Sequence, residues 1–166
     1  MAASPVRSDP PWLTIARSYL GVTERPGPPT DSTIKGWLAR LGAWWGDDET
    51  PWCATFVSAC LVQAGLPKPR HWYRARALAE YGHDLGRRAY GSIAVLERGG
   101  AGHTGFLVAE DGQERILLLG GNQGNRVSIA SFEAWRVIGY RWPPTDTWPP
   151  VYPLPTLQAG GGVEEV

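Results

Sequence analysis

Apolar residues recur at helical spacing through the first half of the chain and at strand spacing through the second. After Asp9-Pro10-Pro11, the residues Trp12, Ile15, Ala16, Tyr19 and Leu20 repeat at i, i+3 and i+4, and Gly21 closes the run. That pattern predicts a helix. A loop rich in Pro and Gly follows over residues 22–29. Ile34, Trp37, Leu38 and Leu41, closed by Gly42, predict a second helix that Asp31 or Ser32 can cap. Ala54, Phe56, Val57, Cys60, Leu61 and Ala64 predict a third, with Thr50 as its N-cap, Pro51 in the first helical position and Gly65 at its end. A short fourth helix is expected over residues 74–81.

The period then changes to two. Short β-rich runs stand at 92–96, 103–109, 115–119, 126–129 and 137–142, separated by Arg98-Gly99-Gly100, Asp111-Gly112 and Gly120-Gly121-Asn122. Such Gly and Asx clusters are turn chemistry. Helices followed by a meander of strands predict an α+β fold, an antiparallel sheet of about five strands packed on the third helix. A chain of 166 residues suits one domain. We expect an N-terminal arm over residues 1–11, the folded domain over 12–143 and a Pro/Gly-rich tail over 144–166.

Charge narrows the partners. Sixteen basic and sixteen acidic residues cancel, so no global field draws the chain to nucleic acid or to an anionic membrane. No stretch approaches the length of an apolar membrane span, and residues 1–11 lack a signal-like apolar core. The expectation is a protein made in the cytoplasm, without membrane insertion, that reaches any envelope target by a route the sequence does not encode. Nine Trp residues are many for this length; core and loop packing covers most of them, and carbohydrate stacking is a second use for one or two.

Cys53 carries the candidate chemistry. In the first turn of its helix, the unpaired N–H groups and the positive end of the dipole favour thiolate, the nucleophilic form. His103 follows downstream in Gly102-His103-Thr104-Gly105, and Asn122 after it in Gly121-Asn122-Gln123. Cys, His, Asn is the chain order of a papain-type triad, in which the imidazole takes the thiol proton and a carboxamide oxygen holds the ring in one tautomer. Alternation puts His103, Gly105, Leu107 and Ala109 on one strand face. If that face meets the helix, the glycines beside His103, Gly105 among them, leave room for a substrate backbone. Trp52 and Gln123 are candidate neighbours in the same cleft. Cys60, too far along the helix for a disulfide with Cys53, reads as a small buried apolar residue. Cys53, Cys60 and His103 lack the spacing of a zinc site, and no cofactor is called for.

Several motifs in order make the pattern specific: Glu24-Arg25-Pro26-Gly27, then Asp48-Glu49-Thr50-Pro51-Trp52-Cys53-Ala54, Gly102-His103-Thr104-Gly105-Phe106, Leu119-Gly120-Gly121-Asn122-Gln123-Gly124-Asn125 and Gly139-Tyr140-Arg141-Trp142-Pro143. Together they resemble the NlpC-type branch of papain-like cell-wall hydrolases, close to the CHAP amidases, and in particular a group found in phages and prophages. The resemblance implies a papain-like fold with Cys53 as nucleophile, His103 as general base and Asn122 as the orienting residue. It implies peptide or amide bonds of the peptidoglycan stem peptide as substrate. Glu24 and Glu49 belong to matching segments and are candidates to receive a cationic group of that peptide. The chain departs from the pattern at Gly91-Ser92, where Gly-Asp is expected before the first strand. A monomer is expected, with delivery machinery or an inhibitor protein as further partners. The carrier is open between a phage lysin, a tail-associated hydrolase and a secreted effector. The alternative readings are a catalytically silent wall- or glycan-binding module, and an acyltransferase or toxin of the same fold acting on protein.

Overall fold

The computed structural model describes residues 9–24, 32–45, 51–98, 101–146 and 154–157. Among the described residues three α-helices come first: α1 (Pro11–Ser18), α2 (Ser32–Leu41) and α3 (Cys53–Gln63). A 3-10 helix, Ala75–Glu80, stands where a fourth helix is expected. Six strands follow: β1 (His83–Asp84), β2 (Ile93–Arg98), β3 (Ala101–Glu110), β4 (Arg115–Gly120), β5 (Ser128–Glu133) and β6 (Val137–Trp142). They form one sheet in the order β1-β6-β2-β3-β4-β5, antiparallel at every pairing. The α+β architecture is the expected papain-like one. The strand that pattern reading misses is β1, a two-residue edge against β6, too short to show a period.

The sheet is curled, and the chain itself requires it. Only the one-turn 3-10 helix Ala134–Arg136 joins β5 to β6, which stand four places apart in the sheet. In a flat sheet that separation is about 19 Å, whereas four residues of fully extended chain reach about 14 Å. The two strands therefore approach each other around a concave face. Ala94, Leu96, Leu107, Ile116 and Leu118 fill that concavity, with Phe132, Ala134 and Val137 packed against them.

The convex face carries the larger core. Ile93, Val95, Phe106, Val108, Leu117 and Leu119 meet Phe56, Val57, Cys60 and Leu61 of α3 and Trp12 and Leu13 of α1. Residues 53–61 of α3 are buried on all sides, so α3 is the central helix rather than an amphipathic cover. The rings of Phe56 and Phe106 meet edge to face at 6.3 Å. This reverses the face expected to meet the helix. It is Thr104, Phe106 and Val108 that look toward α3, because that face carries the apolar bulk. His103 pairs directly with Leu96 across β2 and β3, and directly paired residues share a face, so its side chain lies on the concave side. A bulge between Leu107 and Ala109 returns Ala109 to the helix side.

Two segments outside the meander are tied to it. Asp9 accepts hydrogen bonds from Arg17 Nε at 2.8 Å and from the Tyr90 hydroxyl at 2.7 Å. Residues 154–157 run beside the end of β3, where Glu110 N donates to Pro155 O and Leu157 N donates to Glu110 O, both within 2.9 Å. Among the described residues, no helix is long and apolar enough to cross a membrane.

Candidate active site

α3 begins at Cys53. Trp52 takes the N-cap position with a non-helical backbone (φ −119°, ψ 19°) and no side-chain cap. The expected start at Pro51 is thus two residues early; Thr50, the expected cap, lies outside the described residues. The first helical hydrogen bond runs from Phe56 N to Trp52 O at 2.9 Å. The N–H groups of Cys53, Ala54 and Thr55 have no carbonyl acceptor within the helix, so Cys53, a residue 7% exposed, stands at the positive end of the dipole.

Trp52 fixes this helix start. Its ring is buried, packs 6.0 Å from that of Trp37 and donates Nε1–H to Glu24 Oε1 at 2.9 Å. Glu24 N in turn donates to Asn125 O at 2.8 Å. The ring lies so close to the turn after β4 that a Cβ on Gly121 would stand 2.9 Å from two of its carbons and 2.6 Å from Phe56 Cβ. Three of the sequence motifs therefore converge on one indole. Trp52 is a buried wedge, not the substrate-facing ring expected of it, and Glu24 is engaged by that wedge. Glu49 lies outside the described residues.

On the other side of the same turn stands His103, buried to 2% exposure. Its Nε2 is 2.9 Å from Gln123 Oε1. The orientation of the Gln123 amide is fixed independently, because its Nε2 donates to two backbone carbonyls, Leu118 O at 3.1 Å and Ser128 O at 2.9 Å. Carbonyls only accept, so the amide nitrogen must face them and the amide oxygen must face His103. It follows that His103 Nε2 carries the proton and donates it to Gln123, and that Nδ1 is the basic nitrogen of the neutral ring. The imidazole also stacks on Phe132, with centroids 5.0 Å apart and planes 30° apart. A side chain on Gly120 would collide with Gln123 Oε1, which is why glycine precedes this loop.

Gln123 therefore accepts the Nε2–H of His103, the hydrogen bond expected of Asn122, its neighbour in the turn. Asn122 sits in the left-handed region at φ 58°, a conformation Asn tolerates better than most residues, and it is half-buried in the turn. Gln123, expected to line the substrate cleft, is instead enclosed at 3% exposure. Gly105 is corrected too: a Cβ there would meet Leu119 O at 3.1 Å and Leu118 Cβ at 3.2 Å. It lets β3 and β4 approach and leaves no space for a substrate backbone. Gly102 makes room in the same way for Ala75 and Arg76.

Trp52, which precedes Cys53, and Gln123, which binds His103, thus both pack on the turn after β4. Cys60, two turns along α3, is fully buried, and desolvation pushes its thiol well above the ordinary range, as expected for an inert packing residue. Sequence reasoning missed Phe132 and the pinning of Gln123. The available signals were a lone aromatic in the fifth strand and a glycine pair that only close packing against Gln123 and Trp52 requires.

No curated protein matches the chain. Residues 45–122 match the family model of the CHAP domain, so the segment from the loop before α3 to the turn after β4, with Cys53 and His103 inside it, is similar to the CHAP domains of peptidoglycan-hydrolysing amidases and peptidases.

Proposed function

We propose that Cys53, His103 and Gln123 form a hydrolytic centre that cleaves a peptide or amide bond of the peptidoglycan stem peptide. The observation that carries this reading is the pinned Gln123 amide, which leaves His103 with a basic Nδ1. The CHAP match supplies the substrate class. His103 takes the Cys53 proton as sulfur attacks the carbonyl carbon. The first-turn N–H groups of α3 face the negative charge that builds on the carbonyl oxygen. The C–N bond then breaks, His103 returns the proton to the leaving nitrogen and a thioester remains. Water adds to the thioester with His103 again as base; the acid is released and the proton returns to sulfur. Glu24 acts by holding Trp52, and with it the start of α3. The place of action is the cell wall, after release or delivery of the protein.

The test is release of soluble fragments from purified sacculi. Cys53→Ala and His103→Ala should each lower the rate by at least about 10³-fold while thermal unfolding stays unchanged for Cys53→Ala. Wild-type activity in Cys53→Ala would remove the thiol mechanism. End-group analysis of the fragments decides between peptide and amide cleavage: a new muramic lactyl carboxylate marks the amidase, a new amine within the stem marks the peptidase.

A further inference from the structure

Beside the nucleophile helix lies an aromatic cluster that the catalytic centre does not use. Trp44 is 77% exposed, yet its ring is held. It meets Trp45 edge-on at 4.4 Å and 76°, and Tyr73 at 5.4 Å and 83°. Trp45 stacks in turn on Trp72 at 5.5 Å and 15°. The cluster is anchored to α3, because Ser58 Oγ donates to Trp72 O at 3.0 Å. Ser58 is five residues from Cys53, about 7.5 Å along the helix axis. The Arg74 guanidinium lies 5.6 Å over the Tyr73 ring, so a cation borders the cluster.

We propose that Trp44 is a saccharide-stacking platform that binds N-acetylhexosamine rings of the peptidoglycan glycan strand. The proposal rests on the peptidoglycan reading above and extends it to the glycan. An apolar ring face suits the C–H face of a pyranose, and a guanidinium at the border of the cluster suits its hydroxyl and acetamido oxygens. A single rigid face suits this occupant better than a protein partner, which needs a broad apolar patch. Rigidity matters because a ring already fixed by Trp45 and Tyr73 loses little freedom on binding. The polymer that carries the stem peptide presents such sugars along its whole length.

Oligomers of β-1,4-linked N-acetylglucosamine serve as probe, since they lack a stem peptide and do not report on the thiol. Titration of the full chain, followed by calorimetry and Trp fluorescence, should show saturable binding. Trp44→Ala should weaken it at least tenfold, Trp44→Phe should retain most of it, and Cys53→Ala should leave it unchanged. On sacculi, Trp44→Ala should raise KM with little change in kcat. Absence of binding by the wild-type chain, or equal binding by Trp44→Ala, overturns the proposal. So does a concentration-dependent dimer in sedimentation that Trp44→Ala abolishes, since it assigns the face to a second copy of the chain. Intact oligosaccharide binding without hydrolysis of sacculi overturns the catalytic reading and leaves this one standing.

Discussion

Cys53 and Cys60 are the same residue on the same helix, and α3 treats them differently. Cys53 opens the helix, with three amide N–H groups around it that no helical carbonyl satisfies, beside a tryptophan that wedges the turn after β4. Cys60 sits two turns later against the sheet, wholly enclosed, where nothing stabilises a negative charge. Reactivity here is a property of position along the helix. In the proposed mechanism the same side chain is a nucleophile at the helix start, where no helical carbonyl accepts the backbone N–H groups, and a small apolar filler two turns later.

The largest test of that contrast uses the two alanine variants side by side. Cys53→Ala should abolish hydrolysis and leave stability within about 0.5 kcal/mol of wild type, whereas Cys60→Ala should keep the activity and lose about 1 kcal/mol from the lost packing. Activity on sacculi and denaturant unfolding read both. Iodoacetamide sharpens the pair: native protein should be alkylated at Cys53 and spared at Cys60, as peptide mapping will show. Reversed labelling breaks the comparison.

A second, intermediate effect separates two neighbouring carboxamides. Gln123→Ala removes the acceptor that fixes His103 and should lower kcat by roughly 10²-fold. Asn122→Ala removes only a residue suited to a left-handed turn and should cost stability of about 1 kcal/mol with kcat within a few-fold of wild type. Steady-state kinetics at saturating substrate distinguishes them, and an Asn122→Ala loss larger than that of Gln123→Ala would return the orienting role to Asn122.

The smallest effect is one of pH. Burial raises the folded thiol of Cys60 well above its ordinary value. A group whose folded pKa is raised contributes stability that is complete below the unfolded pKa and is lost as pH climbs past it, because the unfolded chain releases a proton that the folded chain keeps. Between about pH 8 and pH 10, wild type should therefore lose more stability than Cys60→Ala. Parallel pH profiles of the two would mean that the thiol is not enclosed in solution.

Much of this was legible in the sequence, and the parts that were not have physical reasons. A cysteine at a helix start follows from Pro51-Trp52-Cys53 before an apolar run, although Trp52 rather than Thr50 takes the N-cap position. The two faces of β3 follow from alternation, but alternation does not say which face meets a helix; the bulk of Phe106 and Val108 against Gly105 decides it. Asn122 and Gln123 offer the same chemistry at adjacent positions, and only the left-handed backbone at Asn122 and the carbonyls behind Gln123 distinguish them. The curl of the sheet depends on a three-residue link between strands whose order periodicity does not reveal. The stacking of His103 on Phe132 follows from that curl.

The amide of Gln123 is held by Leu118 of β4 and by Ser128, the first residue of β5, and β5 is the outer strand of the sheet. The proton position on His103 is therefore clamped by the edge element of the fold, where strands fray first on warming. When β5 lifts, the amide can rotate, the imidazole loses its single tautomer and turnover stops while the helical core still holds. Heat should inactivate the protein reversibly several degrees below its unfolding transition, with the edge strand acting as a fuse for the chemistry.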